Sequence, residues 1–132
     1  MKFMVCYDGT EEAKKALQKA QSHAQKWNAT LQVVNSITRI EPLKHSDVKK
    51  MEDRLEAEVK DILGGDGPSF EVQLLLTELT PGEQLVRFAK DEKIDQIFLG
   101  IQKKSKVGKF IFGSTAQFVI LNAPCPVVTI QK

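Results

Sequence analysis

The sequence alternates five short apolar runs with four stretches of amphipathic helical pattern, and no other feature restricts the fold as strongly. The apolar runs are nearly continuous, as strands buried on both faces of a sheet are. They cover residues 3–7, 30–37, 70–76, 94–99 and 127–131. This β-α-β order predicts a parallel sheet with helices on both faces. Because crossovers in such sheets are right-handed, the strand order must reverse at some point.

The first helix is predicted to open at Thr10 and to end before Asn28. Its apolar positions recur at helical spacing and predict one face packed on the sheet. These positions are Ala13, Ala16, Leu17, Ala20, Ala24 and Trp27.

Residues typical of helix ends also mark the other three helices. Ser46 or Asp47 is predicted to cap the second helix, and Pro81 fits the first turn of the third. The fourth helix is predicted to begin at Ser114. Ser114 could then cap the helix or bind an anion, and these two roles do not exclude each other.

Between the fourth apolar run and the last helix lies a glycine-punctuated segment, residues 100–115, which is predicted to be a loop. Glycines allow close approach of the backbone to a phosphate, and a helix start offers unpaired N–H groups and a positive dipole end. The pattern therefore predicts an anion site around Gly113, Ser114 and Thr115. Asp8, which follows the first run, is either a turn and cap residue or a member of the same site, because parallel strands end at a common edge.

Composition narrows the class of protein. A chain of 132 residues with 42% hydrophobic and 27% charged residues is expected to form one globular domain over residues 1–132. No apolar run approaches the roughly 20 residues that span a bilayer, and the N-terminus lacks a signal-peptide core. We therefore expect no membrane partner and a cytoplasmic location.

Charge is distributed unevenly along the chain. Five of the 19 basic residues and none of the 17 acidic ones lie after Asp95, while the net charge is only +2. The overall balance does not indicate a nucleic-acid partner. The local excess of lysine indicates either an anionic ligand near the glycine-rich segment or simply a solvated loop.

Metal and catalytic motifs are not apparent. Cys6 and Cys125 lack CxxC spacing and are expected to be small buried hydrophobes, and His23 and His45 have no partner at metal-ligand spacing. No Ser-His-Asp or Cys-His spacing and no full Walker lysine motif can be found. We expect no metal site and no efficient catalysis, although slow ATP hydrolysis or self-phosphorylation is left open.

Two stretches of the sequence resemble those of a known protein family. FMVCYDGTEEAKKAL near the start, DQIFLGIQKKSKVGKFIFGSTAQFVILNAPCPVVTI at the end and the alternating elements between them resemble the universal stress protein family. ATP-binding members carry G-x-x-G, nine residues, then G-S/T. Gly100, Gly113 and Ser114 fall at matching positions, and the pair Gly108-Lys109 matches a glycine-basic pair common in that segment.

The resemblance implies a Rossmann-like, doubly wound five-stranded sheet in the order 3-2-1-4-5, with four helices and with ATP, with or without Mg²⁺, between strands one and four. Asp8 would then lie near the adenosine, the backbone at Ser36 near the adenine edge, and Gly100 near the ribose and phosphates. Gly113, Ser114 and Thr115 would hold the terminal phosphates.

One position departs from the family pattern. Lys103 stands where the second glycine of G-x-x-G is expected. Its ammonium can replace a backbone contact to phosphate. Alternatively, if the position requires a positive φ, a lysine costs about 1 kcal/mol or more and the segment takes another path.

Two functions therefore remain open. The first is a regulatory ATP-binding protein, for which the resemblance implies a homodimer formed by the last strand at Val127, Val128, Thr129 and Ile130. The second is a protein-interaction module of the same fold that has lost ATP. Neither reading identifies a client protein.

Overall fold

A computed structural model describes residues 1–38, 44–65, 67–77, 79–102, 104–106, 109–111 and 113–131. Within them the helices are α1 (Glu11–Trp27), α2 (His45–Leu63), α3 (Pro81–Asp91) and α4 (Ser114–Asn122). The strands are β1 (Lys2–Cys6), β2 (Thr30–Thr38), β3 (Phe70–Thr77), β4 (Gln96–Ile101), β5 (Lys104–Lys106), β6 (Lys109–Ile111) and β7 (Val127–Gln131).

Five strands form one parallel sheet in the order β3-β2-β1-β4-β7. This is the predicted doubly wound sheet of order 3-2-1-4-5, with β7 as its fifth strand. The chain winds outward from β1 to β3 and then crosses back to β4, so the order reverses between β1 and β4. In open sheets of this kind, ligands bind at the carboxyl ends of the strands next to that reversal.

The sheet separates two hydrophobic cores, because successive side chains of a strand point to opposite faces. On β1, Phe3 and Val5 pack with α1 and α2, whereas Met4 and Cys6 pack with α3 and α4. Phe98 in β4 belongs to the first core, and its neighbours in sequence belong to the second. This double burial explains why the strands read as continuous apolar runs.

Helix boundaries are partly as predicted. Thr10 is the N-cap of α1, Asn28 ends that helix in the left-handed conformation, and Pro81 lies at the start of α3. The expected cap of α2 by Ser46 or Asp47 is wrong: the helix begins one residue before Ser46, with Lys44 at the N-cap and no side-chain cap bond.

Trp27 does not belong to the buried face of α1. Its side chain is 61% exposed, because it is the last residue of the helix and the buried stripe already ends at Ala24. The smaller residues of the predicted stripe are all buried. They bring the helix close to the sheet.

The segment after β4 is not entirely loop. β5 and β6 pair in an antiparallel hairpin, with Lys104 opposite Ile111 and Lys106 opposite Lys109. Strands of three residues are too short to show a periodic pattern in the sequence. Among the described residues, no helix has the length and apolar character to cross a membrane.

Candidate functional site

The carboxyl ends of β1 and β4 lie side by side and open into a crevice. Cys6 is in register with Leu99, so Asp8 and Gly100 follow at the same edge of the sheet. Two adjoining cavities of about 230 and 370 Å³ occupy this edge. After the ligand that the resemblance implies, we call them the adenosine-side and phosphate-side cavities. Asp8, Leu99, Gly100 and Thr115 line both. They therefore form one continuous crevice at the reversal of the strand order.

The adenosine-side cavity is largely apolar. Its wall includes Cys6, Val34, Pro81, Leu85 and Leu99. Such a wall suits a flat, weakly polar group such as a purine base.

The backbone of Ser36 is oriented towards this cavity. The Val34 carbonyl accepts a hydrogen bond from the Tyr7 N–H, 2.9 Å away, on the β1 side of β2. In a parallel strand the backbone groups of residues i and i+2 point to the same side, so those of Ser36 face the side on which β1 has ended. The Ser36 hydroxyl instead donates to the Gln84 side chain of α3.

The phosphate-side cavity is lined by the start of α4. Gly113 is the N-cap, with φ −61° and ψ 154°, and no side chain caps the helix. The first intrahelical bond runs from the Gln117 N–H to the Gly113 carbonyl at 3.0 Å, so the N–H groups of residues 114–116 lie before the helical pattern. The first turn also contains no acidic residue. This helix start can therefore bind an anion.

The start of α1, on the other side of the same cavity, has the opposite character. Thr10 caps the helix by accepting a bond from the Ala13 N–H at 3.2 Å. Asp8 accepts from the Thr10 N–H at 3.1 Å and from its hydroxyl at 2.7 Å. Glu11 and Glu12 follow in the first turn. Side-chain oxygens and negative charge already occupy this helix start.

Gly100 is a glycine because of packing between helix and sheet. A Cβ at this position would lie 2.6 Å from the Ala13 nitrogen and 2.6 Å from the Glu12 carbonyl oxygen. Both are backbone atoms of α1, which no side-chain rotation can move. The first glycine of the family motif thus has a structural role that does not depend on a ligand.

Gly113 differs from Gly100. Its φ is ordinary for any residue, and a Cβ built there meets no atom within 4 Å. Among the described atoms, neither backbone conformation nor packing requires a glycine at this position. Glycine is favoured at an N-cap, and close approach of a bound group to the backbone would be a second physical reason for it.

Two titratable groups at the crevice are held in their neutral forms. Burial, and secondarily the charge of Asp8, raises the pKa of the Cys6 thiol to about 12. Burial and then the hydrogen bond from the Tyr7 hydroxyl to Glu58, 2.6 Å long, raise the pKa of Tyr7. Cys6 is therefore an apolar wall residue and not a reactive thiolate, in line with the burial expected from the sequence.

The structure brings most of the predicted site residues together. Asp8, Ser36, Gly100 and Thr115 line the adenosine-side cavity, and Gly113 lines the phosphate-side cavity. Their role in ligand binding remains a prediction.

Ser114 is exposed at the first position of α4, so its expected role as N-cap is wrong, since Gly113 occupies that position. Lys103 and Gly108 lie outside the described residues.

Several wall residues, Glu12 and Gln102 among them, were not predicted as site residues from the sequence. Glu12 and Gln102 line the phosphate-side cavity, and the Gln102 Nε2 donates to the Glu12 Oε2 at 3.3 Å. They are 90 positions apart in the chain. Glu12 reads in the sequence as an ordinary acidic residue of a first helical turn, so no local pattern distinguishes it.

Comparisons with known proteins agree on one family. The model of the universal stress protein family matches residues 1–131. A universal stress protein of Thermus aquaticus is 32% identical over 97% of this chain and 96% of its own length.

Solved structures give the same result. A universal stress protein from Archaeoglobus fulgidus is 29% identical with a TM-score of 0.74, covering 98% of this chain and 96% of that one. The structure of the Archaeoglobus fulgidus protein in complex with dAMP has a TM-score of 0.72 at 25% identity, covering 98% and 94%.

Proposed function

Because the chain belongs to the universal stress protein family, we propose that it binds an adenine nucleotide, ATP in the first instance, and acts as a regulatory protein without efficient catalysis. The adenosine occupies the adenosine-side cavity, and the phosphates occupy the phosphate-side cavity. The observation that carries this proposal is the start of α4, which has no side-chain cap, in the wall of the second cavity.

Three features support this orientation of the nucleotide. The apolar wall near Val34 and Leu85 suits the base, and the Ser36 backbone faces the same space. Asp8 lies where the two cavities join, within reach of the ribose. The N–H groups and hydroxyls at Ser114 and Thr115 suit phosphate oxygens. The dAMP complex of the Archaeoglobus fulgidus relative also supports adenine-nucleotide binding.

The test is a substitution chosen to weaken ligand binding without disturbing the packing of the described protein atoms. Gly113→Val places its side chain in space that is free of described protein atoms. The variant is expected to remain folded, with a loss of about 1 kcal/mol in stability at the N-cap, and to lose at least roughly tenfold in affinity for ATP, a difference of about 1.4 kcal/mol. Isothermal titration calorimetry with millimolar ATP and Mg²⁺ measures the affinity, and thermal unfolding without nucleotide checks the fold.

Gly65→Val provides the matched control. A Cβ at Gly65 also meets nothing within 4 Å, and Gly65 lies just after α2, outside the walls of both cavities. This variant should bind ATP like the wild type. Absence of ATP binding by the wild type, or equal affinities of the two variants, would contradict the proposal.

A second candidate function is a protein-interaction module that has lost ATP. Two observations favour it: Lys103 replaces the second glycine of the family motif, and the described wall of the phosphate-side cavity contains two carboxylates and no cationic side chain. Lys103→Gly distinguishes the two functions. New or stronger ATP binding in this variant supports the second function, in which the wild type has lost ATP binding. Binding weaker than in the wild type identifies Lys103 as a phosphate ligand.

We also propose a homodimer formed by β7. This strand lies at an edge of the sheet, and Val127, Val128 and Ile130 are half-buried in the single chain. An uncovered edge strand is a template for pairing with another strand, and symmetric pairing of two copies would cover it.

The proposal does not include efficient turnover. Among the described lining residues, Asp8 and Glu12 are the groups able to accept a proton, and Asp8 already accepts two hydrogen bonds from Thr10. We expect hydrolysis of ATP to be slower than about 1 per second, the lower end of common turnover rates. A phosphate-release assay measures this rate.

A further inference from the structure

Glu12 is a buried carboxylate in the wall of the phosphate-side cavity. It is only 6% exposed. Glutamates are almost never buried to this degree without a partner of opposite charge. The polar contact of the Glu12 carboxylate described here is with the neutral amide of Gln102, at 3.3 Å. Among the described residues, the ion pairs involve other acids, namely Glu92, Glu11 and Asp53.

The backbone of Glu12 is fixed against the sheet. Its carbonyl oxygen packs on Gly100, within 2.6 Å of where a Cβ would lie. The Gln102 amide holds the carboxylate from the end of β4. Glu12 is therefore held in α1 against the end of β4, with its carboxylate at the wall of the crevice.

The charge of Glu12 and the anion-binding start of α4 share one small cavity. Gly113, Thr115 and Ala116 form one side of the 370 Å³ space, and Glu12 and Gln102 form another. A compact space of this volume is about 9 Å across, comparable with the roughly 8 Å over which physiological salt screens a charge. A phosphate bound to α4 in this space would therefore lie within about one screening length of the Glu12 carboxylate.

The two sides act on a phosphate in opposite directions. The α4 N–H groups and helix dipole attract the first phosphate. Each further phosphate adds negative charge in the same cavity but finds fewer unoccupied N–H groups, and the repulsion from Glu12 increases. Asp8 is a weaker source of repulsion, because it is exposed to solvent.

We propose that Glu12 is a specificity-determining residue that lowers affinity with each added phosphate charge, so that AMP competes with ATP better than in a crevice with a neutral residue at this position. The inference rests on the proposed nucleotide function, since it concerns the same crevice. It concerns the choice among adenine ligands, whereas the proposed function concerns their binding.

The experiment removes the negative charge of Glu12 and keeps the shape of its side chain. Glu12→Gln is titrated with adenosine, AMP and ATP in low salt with EDTA, and compared with the wild type. We expect adenosine affinity to change less than about twofold, AMP affinity to rise a few-fold, and ATP affinity to rise roughly tenfold or more, because the Coulomb repulsion that is removed grows with the negative charge of the ligand. The gain for ATP should shrink as salt is raised towards about 1 M.

Glu11→Gln is the matched control. Glu11 lies in the same helical turn, but it is exposed and pairs with Lys14 at 3.5 Å. The same loss of charge there should change all three affinities by less than about twofold, because exposed charges are screened. If Glu12→Gln does not fold, Gln102→Lys tests the same idea, because an ammonium beside Glu12 should also favour ATP over adenosine.

The outcomes separate this inference from the proposed function. If adenosine binds and Glu12→Gln changes the affinities for all three ligands equally or not at all, the inference is wrong, but the proposed nucleotide binding stands. If neither wild type nor Glu12→Gln binds adenosine, AMP or ATP, the nucleotide function itself fails and the inference fails with it. A gain that increases with phosphate number and decreases with salt supports both.

Discussion

Two glycines of the same motif differ in their surroundings in the folded protein. Gly100 lies against the backbone of α1, whereas Gly113 faces space without described protein atoms. In the sequence both match the family pattern equally well. The contact at Gly100 involves residues about 90 positions away in the chain, which no local pattern can reveal.

Gly100→Ala is therefore expected to destabilise the protein without any ligand. The added methyl would meet backbone atoms of Glu12 and Ala13, and overpacking of this kind typically costs about 1–3 kcal/mol. Urea denaturation of the nucleotide-free protein measures the loss. Gly113→Ala, the matched variant, should lose less than about 1 kcal/mol, the usual difference between glycine and alanine at an N-cap. Equal losses at the two glycines would contradict the packing role.

Cys6 makes the free energy of unfolding depend on pH in the alkaline range. Its pKa rises from 9.0 to about 12 on folding, so between these values the unfolded thiol loses its proton while the folded thiol keeps it. The unfolded state then binds fewer protons, and the free energy of unfolding falls as pH rises, by up to about 1.4 kcal/mol per pH unit for one group. This contribution is fully present below pH 9. Tyr7, whose pKa is also raised, adds to the decline at higher pH.

Cys6→Ala should reduce this dependence. The variant loses some stability at pH 7 because a buried group becomes smaller, but its free energy of unfolding should decline less steeply above pH 9 than that of the wild type. Denaturation curves from pH 7 to about pH 11 measure the slope. An unchanged slope would show that Cys6 does not carry it. Cys125→Ala serves as the comparison, since that thiol is only half-buried.

At the scale of elements, the two helices that begin at the crevice differ in how their ends are satisfied. α1 has a threonine cap and two acidic residues in its first turn, whereas α4 has a glycine cap and none. The composition of each helix start can be read from the sequence. Their arrangement on two sides of one cavity cannot, because it depends on the neighbouring positions of β1 and β4.

The last strand, β7, offers a prediction about assembly. The Pro126 carbonyl accepts from the Ile97 N–H at 3.0 Å, so Pro126, Val128 and Ile130 direct their backbone groups to β4. By alternation, the Thr129 N–H points to the outer edge. Thr129→Pro removes that outward donor without removing a bond to β4, and edge strands tolerate proline there.

We expect this variant to be monomeric and folded and, if the proposed interface exists, the wild type to be dimeric. Size-exclusion chromatography with light scattering measures the mass, and circular dichroism checks the fold. Val128→Pro is the contrasting variant, since it removes a bond within the sheet and should destabilise the monomer. A dimeric Thr129→Pro protein, or a monomeric wild type, would exclude the edge of β7 as the interface.

At the scale of the whole molecule, the order of the strands determines where a ligand can bind. β1 and β4 are neighbours although their residues are about 90 positions apart, and the crevice opens where the winding reverses between them. Residues from both halves of the chain meet there: Asp8 and Glu12 from the first, Gly100, Gln102 and Gly113 from the second. Neither half alone can form the proposed site.

The sequence by itself determined the class of fold, the five strands of the main sheet and most helix ends, because periodicity, β-branched runs and caps are local properties of the chain. The residue pattern also predicted the anion site at Gly113, Ser114 and Thr115 and offered Asp8 as a member, and the resemblance added the strand order and the candidates Ser36, Gly100 and Lys103. Only the tertiary structure showed that Gly100, unlike Gly113, packs against a helix backbone and that Trp27 is exposed to solvent. It alone also showed that β5 pairs with β6 and that the buried Glu12 shares a cavity with the start of α4. These are contacts or solvent exposures, and both depend on which distant segments become neighbours when the sheet forms.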